Sequence, residues 1–71
     1  MFKYEVIIKN NLGKEAKRNY DKFLGVYKIY ILTEEEKILK FSFFSEKYPL
    51  DRIRLESHLK GIEVISFMRV N

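Results

Sequence analysis

From Phe2 to Lys9 the chain alternates. Phe2, Tyr4, Val6 and Ile8 fall on one side; Lys3, Glu5, Ile7 and Lys9 fall on the other. A period of two predicts a strand with one buried face. The turn formers Asn10-Asn11-Leu12-Gly13 follow. The period then lengthens: Ala16, Tyr20, Phe23 and Leu24 recur at i, i+4, i+7 and i+8, a helical stripe running from Lys14 to Leu24. Gly25 stands where a helix takes its left-handed terminating residue. The competing reading of this segment is a loop leading into the next strand.

Val26 to Leu32 is dense in β-branched and aromatic residues and predicts a second strand. Tyr27, Ile29 and Ile31 share one face; Val26, Lys28, Tyr30 and Leu32 share the other. Thr33-Glu34-Glu35-Glu36-Lys37 reads as a charged hairpin loop. Ile38 to Ser45 is the third strand, with Leu39, Phe41 and Phe43 opposite Lys40 and Ser42. Pro49 to Lys60 suits a second helix, with proline near the start and Gly61 just past the end. Its apolar face is divided, Leu50 and Ile53 on one side and Leu55 and Leu59 on another. Arg52-Ile53-Arg54-Leu55 would equally suit a strand. Ile62 to Val70 is strongly β-forming and completes the series.

The order β-α-β-β-α-β predicts an α+β fold, a four-stranded antiparallel sheet with two short helices on one face, the ferredoxin-like architecture. If neither helix forms, the alternative is a small open β-barrel. The 71 residues make one domain, 1–71, without linker or low-complexity tract. Many unrelated functions use this scaffold, so function has to be sought in particular residues.

Composition narrows the setting. At 46% hydrophobic and 15% aromatic, the chain holds enough apolar material for a core, and a disordered segment would be depleted in these types. There is no cysteine, hence no disulfide and no thiolate metal site. Charges within Met1-Phe2-Lys3-Tyr4-Glu5 occupy the place of a signal peptide's apolar run. No stretch reaches the roughly 20 apolar residues of a membrane span, and Phe23 to Leu32 is interrupted by Lys28. These features predict a soluble cytoplasmic protein that does not engage a membrane. Glutamine is absent while lysine, glutamate and isoleucine abound, a bias shared by thermophile proteins and AT-rich genomes.

Catalytic chemistry finds little to work with. The lone histidine, His58, neighbours Ser57 on a helix, and adjacent helical residues point apart, so they form no dyad. No two carboxylates make a convincing acid–base pair. Glu34-Glu35-Glu36 lies in a glycine-free loop that cannot wrap calcium's six to eight oxygens; it reads as a solvated loop. Gly13, Gly25 and Gly61 are isolated and build no phosphate loop. No cofactor, no metal site and no enzymatic activity are expected.

Two surfaces remain. Lys14, Arg18 and Lys22, spaced at i, i+4 and i+8 with Lys17 beside them, form a basic stripe on helix one that could meet successive phosphates. Glu15 and Asp21 dilute it, and the simpler reading is a solvated helix face. The net charge of +4 suits either. The sheet face turned away from the helices should carry Ile7, Tyr30, Ile65 and Phe67 among charged residues, an apolar patch rimmed by charge. Lys40-Phe41-Ser42-Phe43-Phe44 superficially resembles the third strand of an RNA-recognition domain. That reading would bury Lys40 to expose Phe41 and Phe43, at prohibitive cost. The expectation is a non-enzymatic binding module that pairs with a second copy as a homodimer, or docks a protein partner, through the open sheet face. The alternative is a nucleic-acid-binding protein using the helix-one stripe and the sheet lysines, with Tyr30 and Phe67 stacking bases.

Overall fold

The two central strands are built by matched alternation. In β1 (Phe2–Lys9) and β3 (Ile38–Ser45), Tyr4 lies opposite Phe43, Val6 opposite Phe41 and Ile8 opposite Leu39 in an unbroken antiparallel register. All six are buried and form the floor of the core. These relations come from a computed structural model, which describes residues 2–45 and 51–70. The remaining elements are α1 (Lys14–Val26), β2 (Ile29–Glu34), α2 (Arg52–His58) and β4 (Val64–Arg69). The strand order is β2-β3-β1-β4, every pairing antiparallel. Ala16, Tyr20 and Phe23 of α1, with Leu55 of α2 and Leu59 beyond it, join the same buried cluster. This is the ferredoxin-like arrangement that the element order predicts. The sheet is open, with β2 and β4 at its edges, which removes the barrel alternative.

Element ends differ from the sequence expectation, for reasons of packing. Helix α1 runs through Gly25 to Val26 instead of stopping at Leu24. Tyr27 carries the apolar stripe one turn further: its ring packs 4.8 Å from Phe23 and 5.0 Å from Phe43, and its backbone N–H reaches the Phe23 carbonyl at 3.0 Å. Gly25 therefore sits inside the helix. Among the described residues the left-handed glycine is Gly61, at φ 84°. Strand β2 starts at Ile29, not Val26, and runs on through Thr33 and Glu34, which the sequence had assigned to the hairpin loop.

The ambiguous segment before β4 is helical. Asp51 caps it by accepting a 2.8 Å hydrogen bond from the Arg54 backbone N–H. The proposed start at Pro49, and Leu50, lie outside the described residues. Leu55 and Leu59 are fully buried while Ile53 is 79% exposed. The core takes Leu55 and Leu59 and leaves Ile53 outside; a helix allows that separation, whereas a strand would have turned Ile53, Leu55 and Leu59 the same way.

Candidate binding surface on the open sheet face

What the open face displays is decided at β4. Val64 is buried opposite Ile8, and Phe67 lies opposite Val6, packed against the core. Strict alternation cannot turn both inward, because they are three residues apart. A register shift between Ile7 and Ile8 resolves the conflict: Ile65 becomes an extra, unpaired residue, and everything after it changes face. Arg52 of α2 donates to the Val64 carbonyl at 2.8 Å and ties the helix to this irregular point. Phe67 stacks on Tyr4 with ring centroids 5.1 Å apart. The expectation that Phe67 faces outward is therefore corrected: it lies on the helix side, as does Arg69, paired with Tyr4.

Of the four expected patch residues, Ile7 and Tyr30 do lie on the open face, on strands separated by β3. Ile65 is half exposed within the bulge. Two residues that the sequence reading did not select join them. Met68 lies opposite Glu5, and Phe44 lies opposite Lys3. Phe44 was readable, since it continues the alternation of Lys40 and Ser42. Met68 was not, since only the bulge brings it to this side.

Across the strands the face forms rows. Met68, Glu5, Ser42 and Tyr30 make one; Ser66, Ile7, Lys40 and Thr33 make the next. Apolar residues are thus separated by polar ones, and no single patch joins all four expected residues. The densest feature is one corner. Tyr30 and Phe44 meet edge to face at 6.5 Å, the Lys28 amine lies 5.6 Å from the Tyr30 ring centre, and the Lys3 amine lies 6.0 Å from that of Phe44. Lys40 stands in the neighbouring row. Glu5 is the acid among these positions. Ser42 beneath them is only 3% exposed, so the longer side chains lean over it.

The basic stripe exists but lies elsewhere. Lys14, Lys17, Arg18 and Lys22 are exposed on α1, in the helical layer behind the sheet. Lys17 is paired with Asp21 at 3.1 Å. One short ligand cannot span both the stripe and the open face. His58 is exposed on α2, with its ring 5.8 Å from Tyr27 and 6.3 Å from Phe23. Among the described residues no group of His, Asp and Glu is placed to hold a metal, and no helix is long and apolar enough to cross a membrane. No family model, no curated protein and no solved structure matches this chain.

Proposed function

We propose that the chain is a non-enzymatic binding module, working in the cytoplasm, that holds single-stranded nucleic acid on the open face of its sheet. The observation that carries this reading is the Tyr30–Phe44 corner, where two half-exposed rings each carry a lysine amine. Every base has a π-face, so an exposed ring offers sequence-tolerant stacking. A base settling on either ring would displace the amine toward the adjoining phosphate, where its charge is better used. Lys40 supplies a third cation, and Glu5 opposes the three. The stripe on α1 adds long-range attraction without joining the contact.

The test is fluorescence anisotropy of a labelled mixed-sequence single strand, titrated at several salt concentrations. Three lysines at phosphates give a slope of log K against log salt of about −2, at roughly −0.7 per contact. Losing a stacked base costs about 1–3 kcal/mol, so Tyr30→Ala or Phe44→Ala should weaken binding at least severalfold. Absence of binding at low salt would sink the proposal. Binding that survives these changes but is lost on Lys14→Gln/Arg18→Gln/Lys22→Gln would move the site to α1.

A second reading keeps support from the β4 edge, where Ile65, Met68 and Val70 are exposed at 46%, 55% and 38%. An edge strand with apolar side chains suits a protein partner or a second copy of this chain. It requires a dimer mass in solution, or a captured partner, that Met68→Glu abolishes.

A further inference from the structure

Strand β2 is an edge of the sheet, with β3 on one side and no other described strand on the other. Such an edge is a template for a further strand unless charge, proline or a bulge blunts it. From Ile29 to Thr33, β2 carries neither charge nor proline. One register shift, at Leu32, interrupts it near its end. Its side chains are also uncovered. Tyr30, Ile31 and Leu32 are 45%, 49% and 49% exposed. Ile31, opposite buried Phe41, lies on the helix side and lines an open cleft with Leu24 of α1.

The order of residues along this edge selects the occupant. Lys28 precedes the apolar run, and Glu34, Glu35 and Glu36 follow it. An antiparallel copy of the same strand brings the lysine end of each against the glutamate end of the other, whereas a parallel copy sets like charges side by side. Neither Lys28 nor Glu34 has an ion pair among the described residues, and the Lys28 amine rests over the exposed Tyr30 ring at 5.6 Å. At the β4 edge the corresponding charges are already engaged, Glu63 by Lys9 at 3.1 Å and Arg69 by the Phe2 ring at 5.3 Å.

The apolar positions fix the register. A two-fold axis at Tyr30, with Leu32 counted as the extra residue, sets Ile29 of each copy against Ile31 of the other on the helix side. On the open face it sets Lys28 against Thr33, one residue from Glu34. We infer that the chain forms a two-fold dimer by antiparallel pairing of β2 with β2 of a second copy, joining the two sheets into one. The two Tyr30–Phe44 corners then adjoin on one continuous open face. The dimer does not depend on nucleic acid, and its test contains none.

Sedimentation equilibrium of the full chain over a range of concentrations reads the mass. The expected result is a reversible rise from monomer to dimer. Ile31→Lys changes a half-exposed position, so it should stay folded by circular dichroism and remain monomeric where the native chain is dimeric. Lys28→Glu sets acid against acid at both ends of the junction and should weaken the dimer about tenfold. Lys28→Glu/Glu34→Lys should recover it, because the reversed strand is again self-complementary. Met68→Glu, at the other edge, should change nothing. A monomeric mass at every concentration would overturn the inference. So would a dimer that Met68→Glu abolishes and Ile31→Lys spares, or a loss in Lys28→Glu that the second reversal does not rescue.

Discussion

Replacing Phe67 and Met68 one at a time tests the bulge on which the open face depends. Phe67 packs on the core and stacks on Tyr4 at 5.1 Å, whereas Met68 is 55% exposed on the opposite side. Truncating a fully buried phenylalanine to alanine costs about 3–5 kcal/mol. Phe67 is only partly buried, so a cost of about 2–3 kcal/mol is expected, including its lost aromatic pair. Met68→Ala removes surface that is already half wet and should stay within about 0.5 kcal/mol. A chain of 71 residues has a total stability of only about 4–10 kcal/mol. The Phe67 variant should therefore lose a large share of it. Urea unfolding followed by circular dichroism reads the difference: with a slope of ~1 kcal/mol/M, the midpoint should fall by about 2–3 M for Phe67→Ala and by no more than about 0.5 M for Met68→Ala. The reverse order would mean that β4 runs without its bulge, with Phe67 outward. The rows described for the open face would then be wrong from Ser66 onward.

Glycine substitutions separate the two glycine environments. Gly25 lies inside α1 with open space where a Cβ would go, so Gly25→Ala should stabilise by about 0.5–1 kcal/mol in thermal unfolding. A loss instead would restore the left-handed cap that the sequence suggests. Gly61, at φ 84°, should lose about 1 kcal/mol or more on change to alanine, since that region strains a side chain. Asp51→Ala removes the cap of α2 and should cost about 1 kcal/mol, with Asp51→Asn recovering most of it; equal loss in both would deny the cap. Burial, then the charges of Glu34 and Asp21, raise the Tyr20 pKa above the usual tyrosine value. The folded chain thus favours the neutral hydroxyl. Its contribution is complete below the unfolded value of about 10 and is lost as pH rises from there through the folded value. Tyr20→Phe should hold its melting temperature better than the native chain above that pH, and parallel declines would contradict the assignment.

Much of the fold was legible because alternation and burial agree along the central strands. Phe2 to Lys9 and Ile38 to Ser45 have one apolar face each, and the structure pairs those faces without a slip. Phe41 and Phe43 could be assigned inward because the opposite choice would bury Lys40. The helix and strand ends were less legible. Gly25 carries a local stop signal, but Tyr27 gains more by packing on Phe23 and Phe43 than the chain gains by ending early. The divided apolar face of α2 had no local answer either. Leu55 and Leu59 prevailed over Ile53 because the core lies on their side.

The sequence by itself determined the element order, the one-sided burial of β1 and β3, the absence of cysteine chemistry and the basic balance of charge. These follow from residue type and from periods spanning a few neighbours. Tertiary structure alone decided which side chains of β4 share the open face. Alternation propagates along a strand only until a residue is inserted, and an insertion is chosen by partners distant in sequence. Val64 needed Ile8 and Phe67 needed Tyr4 and Val6, so Ile65 was left unpaired and Met68 was turned outward. The same logic at Ile31 and Thr33 turned Glu34 toward Tyr20. The β4 side of the open face thus depends on a register shift at an edge strand, where cross-strand packing overrides the local period, whereas Tyr30 and Phe44 lie on unshifted stretches.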